Sequence, residues 1–326
     1  MLVRKYIIAL FFLLGLMSFK TQQSKPTKEF GAVKVSGNKI LDYKGNPLQL
    51  RGISLSWSIW GGQKYYNTEV IDWLIDDFKI NVIRLAMAIE PNGGYLQFPD
   101  KQKQFITDLT DHAIKRGIYV VIDWHDHHAN INIKESKEFF VEMAKKYKGV
   151  PNVMYEIWNE PERESLETVK KYSEELIKEI RKYDSDNLII VGSPHWDQDV
   201  DVISKSPIIG YKNIAYSFHF YASDKNHQEK LRNRADFAIK NGLPIIVTEW
   251  GVGESNGDGE FNRDKTAAWL KWMEDRQLSW INWNLTDKKE TTAILMPRAS
   301  VNGKWLEKDL TDAGKFIREQ LRLLNK

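Results

Sequence analysis

The sequence predicts an α/β protein of one domain, a closed (β/α)8 TIM barrel with a short N-terminal β-hairpin. Three observations predict it. Eight short apolar runs alternate with amphipathic stretches along 326 residues. The runs are apolar nearly throughout, as parallel strands covered on both faces are. No strand is followed by the glycine spacing of a dinucleotide-binding open sheet.

The elements follow in order. Val33-Lys34-Val35 and Lys39-Ile40-Leu41-Asp42 flank Ser36-Gly37-Asn38 and read as the hairpin. Barrel strands are expected at residues 48–54, 81–87, 119–124, 152–158, 188–192, 214–220, 244–250 and 279–284. Helices are expected at 68–78, 101–115, 135–146, 166–183, 228–241, 263–276 and 312–324. Lys115-Arg116-Gly117 and Lys240-Asn241-Gly242 each place a basic residue and then glycine at a helix end, where a C-cap needs them.

Residues 1–20 read as a secretory signal. Arg4 and Lys5 precede an apolar run from Tyr6 to Phe19, too short for a convincing membrane span. The cut is expected between Ser18 and Ser24; a retained N-terminal anchor is the alternative. A secreted or periplasmic protein is expected. Residues 21–30 read as a polar linker, and 31–326 as the barrel domain. Formal charge is +3, all of it contributed by Arg4, Lys5 and Lys20, so the remainder is neutral and offers no electrostatic case for nucleic acid. There is no cysteine, which excludes disulfides and a thiol nucleophile.

In such barrels chemistry gathers at the C-terminal ends of the strands. Reading those ends gives Arg84, then Asp123-Trp124-His125, Asn159-Glu160, His219-Phe220-Tyr221, Glu249-Trp250 and Trp283-Asn284. Any one of them alone is more simply a structural polar group; their convergence on one rim is not. Two carboxylates at the mouths of buried strands are costly unless paired or used. Cleaving a glycosidic bond needs such a pair: an acid for the leaving oxygen, and a carboxylate to attack the anomeric carbon or activate water. The acid needs a raised pKa, and the other carboxylate needs neighbours that keep it charged. Arg84 and Tyr221 could be those neighbours, Asn159 could hold a sugar 2-hydroxyl, and Trp283 offers a flat floor for a pyranose ring.

Ile157-Trp158-Asn159-Glu160-Pro161 and Val247-Thr248-Glu249-Trp250-Gly251 resemble the two catalytic motifs of glycoside hydrolase family 5, the retaining cellulase-type group. Asp123-Trp124-His125, His219-Phe220-Tyr221 and residues 280–288 extend the resemblance over nearly the whole chain after Val33, and it is strongest to bacterial endo-β-1,4-glucanases. It implies Glu160 as acid/base and Glu249 as nucleophile, with Arg84, His125, Asn159, His219 and Tyr221 as positioning residues. Trp283 would be the stacking platform, Trp60 and Trp196 platforms in flanking subsites, and Lys288 and Glu290 sugar-binding residues on the non-reducing side. Ser56 and Ala88 depart from the His and Tyr of some relatives, which leaves backbone preference open between cellulose, mixed-linkage glucan, xyloglucan and mannan.

The resemblance implies no cofactor and no metal, a β-glucan polysaccharide substrate and a monomer. A metal site at Asp123, His125, His127 and His128 is the rival reading, but its remaining ligand pattern is not evident. A non-catalytic polysaccharide-binding protein is the rival of another class; it would need the platforms but not the carboxylates. Glu156 is expected to pair with a barrel arginine such as Arg51, and Asp197, Asp199 and Asp201 to lie in a solvated loop or helix start. Residues 251–259 read as a flexible loop that could take Ca²⁺. Asn284-Leu285-Thr286 matches a glycosylation triplet but falls at a strand end.

Overall fold

The computed structural model describes residues 25–325. The expected signal segment, 1–20, lies outside the described residues, as does the first part of the linker. The hairpin is β1 (Lys34–Ser36) and β2 (Lys39–Leu41), paired antiparallel with Val35 opposite Ile40. Eight parallel strands follow: β3 (Arg51–Leu55), β4 (Val82–Ala88), β5 (Tyr119–His125), β6 (Val153–Glu156), β7 (Ile189–Val191), β8 (Ile214–Tyr221), β9 (Ile245–Gly251) and β10 (Trp280–Leu285). They close in sequence order, with β10 beside β3. The barrel forms because each strand is buried on both faces and each crossover contains a helix, so both faces are covered.

Strand periodicity sorts the side chains. Ile83, Leu85 and Met87 of β4 and Val120, Ile122 and Trp124 of β5 join the large core between strands and helices. Val82, Tyr119, Val121, Met154, Ile190, Ala215, Ile246 and Ile281 point the other way and fill the lower barrel. Val33 and Ile40 of the hairpin segment, with Leu48 and Leu50, belong to that inner cluster and plug its N-terminal end. One step further along the same inward face come Arg84, Asp123, Glu156 and Ser217, all fully buried. The next step brings Ala86, His125 and His219, and one further step Tyr221. The barrel interior therefore grades from apolar at the bottom, through a buried ionic layer, to an open polar rim.

Three expectations are corrected. Residues 26–30, expected as linker, form a short helix, Pro26–Phe30, tied to the barrel by Thr27 N–H to the Gly117 carbonyl at 3.1 Å. The expected helix at 68–78 is α-helical over Thr68–Trp73 and continues as a π-turn, Leu74–Phe78, closed by Lys79 at φ 65°. Glu156 does not meet Arg51. The side chain of Arg51 shares the outward face of β3 with Ile53 and Leu55, and it pairs with Glu274 at 2.6 Å.

Candidate active site

Arg84 is the hub of the buried layer. Its Nε donates to Glu156 at 2.6 Å, its Nη1 to Glu249 at 3.0 Å, and its Nη2 to the Asn159 side-chain oxygen at 2.6 Å. Asp123 lies 3.0 Å from Nη2. A guanidinium without water is tolerable only when its donors are met by charge, and here they are. Asp123 also sits 2.7 Å from Nδ1 of His125, whose ring stacks on Trp283 at 5.2 Å between centroids and 10° between planes. The Trp283–Asn284 peptide is cis.

Glu249 ends the inward run of β9. The Tyr221 hydroxyl donates to its second oxygen at 2.7 Å. Gly251 makes that approach possible, because a Cβ there would lie 2.7 Å from the Tyr221 ring. Glu160 arrives differently: it lies four residues beyond β6, in a left-handed conformation at φ 54°. His219 Nδ1 is 2.9 Å from one Glu160 oxygen, and His127 Nε2 is 3.5 Å from the other. Behind His219, its Nε2 meets Ser217 at 2.9 Å and Thr248 at 2.8 Å. A register shift between Ser217 and His219 in the β8–β9 pairing sets His219 opposite Glu249. One oxygen each of Glu160 and Glu249, with a His219 nitrogen, lie within 4.8 Å of one another.

The layer holds more carboxyls than cations, so protons must be retained. Burial, only partly offset by Arg84, pushes Asp123 well above the usual carboxylate range. Burial lowers His219, but Asp197, Glu156 and Glu160 outweigh it and keep the imidazole charged well beyond its ordinary pKa. Burial and the Arg84 charge hold His125 neutral. Burial would raise Glu156, but Arg84 and His219 bring it down to about 2. Glu156 therefore contributes stability that is present above its unfolded pKa and is lost as pH falls toward 2. Acid titration of the unfolding free energy should show a weaker slope below pH 4 in Glu156→Gln than in the parent protein.

The two candidate catalytic carboxyls depart from expectation in direction. Burial raises Glu160, but the His219 hydrogen bond and charge, then His127 and Arg84, bring it below its ordinary value. Burial and then the Glu160 charge raise Glu249, against His219, Arg84 and Tyr221. These shifts belong to the pair and not to either residue alone. A proton moved along the 2.9 Å line from His219 to Glu160 removes the charge that raises Glu249, and Arg84 and Tyr221 then favour its ionised form. The charge on each of the two carboxyls is thus set by a shared proton, which sequence motifs do not encode.

The cleft above these groups consists of two cavities that meet at Glu160. One, about 480 Å³, is lined by Trp57, Trp60, His125, Glu249, Trp283, Lys288 and Glu290. The other, about 470 Å³, is lined by Trp196, Gln198, His219, Tyr221 and Asn256. Trp60 is 68% exposed, and Trp57 packs beside it at 5.0 Å. Lys288 pairs with Glu290 at 2.6 Å. A larger cavity of about 580 Å³ lies beside the hairpin at the N-terminal ends of the strands and contains none of the rim residues.

All twelve residues expected at the site therefore border this cleft or the ionic layer beneath it. The four groups of the rival metal reading fall into three pairs: Asp123 with His125, His127 with Glu162 at 3.0 Å and His128 with Glu164 at 3.2 Å. Asp258, in the loop at 251–259, accepts from the Thr291 N–H and hydroxyl. Sequence reasoning missed Ser217 and Thr248 and gave His127 and Asp197 other places, a rival metal site and a solvated loop or helix start. Ser217 was legible, since Ser217, His219 and Tyr221 alternate on one strand face. Asp197 is corrected outright: it is fully buried, while Asp199 and Asp201 pair with Arg234.

A closed parallel barrel with paired carboxylates on its C-terminal rim defines the class, and comparison gives the family. Residues 41–289 match the cellulase family (glycosyl hydrolase family 5), and the chain belongs to it. Endoglucanase Z of Dickeya dadantii is 43% identical over 290 residues, covering 88% of this chain and 65% of the relative. Endoglucanase A of Evansella cellulosilytica is 42% identical, over 85% of this chain and 57% of the relative. The chain thus spans less than two thirds of the length of those curated relatives. Among solved structures, a protein from Cytophaga hutchinsonii superposes with a TM-score of 0.89 at 41% identity, covering 93% of this chain and 98% of that one. The catalytic domain of Thermobifida fusca endoglucanase Cel5A, solved with cellotetraose, gives 0.86 at 32% identity, covering 92% and 100%.

Proposed function

We propose that the protein is an endo-β-1,4-glucanase that cleaves internal bonds by double displacement with net retention. The observation that carries this reading is the approach of Glu160 and Glu249 within 4.8 Å on the cleft floor. Retaining pairs stand about 5 Å apart, whereas inverting pairs leave room for water at roughly 6.5–9.5 Å. Glu160 protonates the glycosidic oxygen while a Glu249 oxygen attacks the anomeric carbon. The sugar–oxygen bond breaks and a glycosyl-enzyme forms. Glu160, now a carboxylate, takes a proton from water, which displaces Glu249 and regenerates both groups.

The surrounding residues suit this course. Arg84 and Tyr221 favour the charged nucleophile. Asn159 Nδ2 is a buried donor with no hydrogen-bond partner among the described residues, consistent with a donor kept for the sugar 2-hydroxyl. Trp283 floors the cleavage subsite, with Trp60 and Trp196 as flanking platforms. Stacking at an exposed ring is worth about 0.5–1.5 kcal/mol. Trp60→Ala should therefore raise KM on barley β-glucan roughly 2- to 10-fold with little change in kcat, measured by reducing-sugar release.

The reading favours a β-1,4-glucan chain, and the Endoglucanase names of the relatives support it. Ser56 and Ala88 leave mixed-linkage glucan, xyloglucan or mannan as alternatives on the same machinery. Export is read from residues 1–20 and the monomer from the family resemblance; among the described residues no helix is long and apolar enough to cross a membrane. The test is proton NMR of fresh product, with product profiles on carboxymethyl cellulose, barley β-glucan and glucomannan. Initial β-anomer and mixed oligosaccharides are expected. Initial α-anomer would refute the mechanism, and glucomannan as the only substrate cleaved would refute the substrate.

A further inference from the structure

Asp197 is a carboxylate that the mechanism above does not use, and it sits directly behind the acid/base. It belongs to a left-handed turn after β7, in which His195, Trp196 and Asp197 have φ of 56°, 53° and 57°. Its side chain is fully buried and touches no part of the cleft surface. Oδ2 accepts the backbone N–H of Glu160 at 3.0 Å, and Oδ1 accepts the N–H of Ser193. Oδ2 also lies 3.6 Å from Nε2 of His219, whose Nδ1 faces the Glu160 carboxyl. One carboxylate thus touches both the peptide that aims Glu160 and the imidazole that shares its proton.

We propose that Asp197 is a positioning residue for the acid/base, clamping the Glu160 peptide and holding the proton of the His219–Glu160 pair to higher pH. The proposal rests on the reading of Glu160 given above. A neutral acceptor would satisfy either N–H without the cost of burying a charge, so two hydrogen bonds alone do not call for a carboxylate here.

Every neighbouring element contributes to the balance. Asp197 faces His219 on β8, Glu160 beyond β6 and Glu156 on β6. His219 in turn faces Glu156 and Glu249, and Glu160 faces His127 and Arg84. On its own turn, His195 is taken by Asp199 at 2.9 Å. Burial pushes Asp197 up to about 7, with His219 and the Ser193 N–H opposing and Glu160 adding. Above that pH its negative charge beside His219 raises the proton affinity of the pair. Loss of the last shared proton abolishes acid catalysis, so Asp197 extends the alkaline limb of activity. The balance is one proton: His219 Nδ1 gives it to Glu160 Oε1, and Glu160 gives its proton to the leaving oxygen.

Asp197→Asn tests this, since asparagine tolerates the left-handed backbone and keeps one oxygen acceptor. With barley β-glucan, a neutral polymer, the alkaline limb of kcat/KM should move down by about one pH unit. KM should be unchanged, and kcat at the optimum should stay within a few-fold of the parent. Asp197→Ala, lacking both acceptors, should lose more kcat than Asp197→Asn. An unmoved alkaline limb in folded Asp197→Asn overturns the proposal. Should that variant not fold, Asp197→Ser carries the same test, and failure of both to fold would make Asp197 structural and equally overturn it. Glu160→Gln, assayed alongside, separates the two ideas: if it retains hydrolysis, the reading of the site fails, whatever Asp197 does.

Discussion

Glu249→Gln should reduce kcat on barley β-glucan on the order of 10⁴-fold or more, as removal of a catalytic nucleophile does elsewhere. The amide keeps the shape: with its oxygen toward Arg84, its NH2 can donate to the Tyr221 hydroxyl, but it cannot form the glycosyl ester. In the proposed reading substrate stacks on Trp283, Trp60 and Trp196, which the substitution leaves in place, so KM should change little. Stability should not fall, because the variant removes one negative charge from a layer with too many. Calorimetry beside steady-state kinetics separates the two effects. A variant with near-parental kcat would remove Glu249 from the nucleophile's role.

Arg84→Ala should be the most destabilising single substitution in the barrel, costing about 3–5 kcal/mol of unfolding free energy. Arg84 is wholly buried and meets Glu156, Glu249, Asp123 and Asn159. Its removal leaves Glu156, held ionised by that guanidinium, facing other carboxyls with no water to compensate. The cost is an uncompensated buried charge and not merely the loss of four contacts. Proteins of this kind are stable by about 5–15 kcal/mol, so the variant should remain folded with a clearly lower urea midpoint. Activity should also fall, because Glu249 loses its cation. The Arg84→Lys variant should recover little, since one ammonium cannot replace a planar fork that meets several acceptors. An unchanged urea midpoint in Arg84→Ala would show that the layer does not depend on it.

The sequence foretold the barrel because its signal is redundant: eight buried runs, seven of them followed by an expected covering helix, say the same thing repeatedly. It foretold the rim residues because strand ends are readable once strands are. What it obscured were matters of facing and of local backbone. Arg51 and Arg84 look equivalent as strand arginines, yet Arg51 shares its parity with Ile53 and Leu55 and so faces the helices. Checking that parity would have paired Glu156 with Arg84. Asp197 resembles its neighbours Asp199 and Asp201 in one dimension, and only the left-handed turn drives it inward. The helix at Pro26–Phe30 buries no residue, so no apolar pattern announces it. The proton balance of Glu160 and Glu249 depends on His219 and Arg84 together, and no local motif carries that.

The central claim is that Glu249 becomes covalently bound to sugar while Glu160 handles the proton. The direct measurement is mass spectrometry of the protein after incubation with a 2-deoxy-2-fluoro-cellobioside bearing an activated leaving group. The fluorine slows both steps by destabilising the oxocarbenium-like transition state, and the good leaving group lets the first step proceed. The account predicts one added fluorocellobiosyl unit, carried after proteolysis by the peptide that contains Glu249. A label on Glu160, or an unlabelled enzyme that turns the substrate over with inversion, would contradict it.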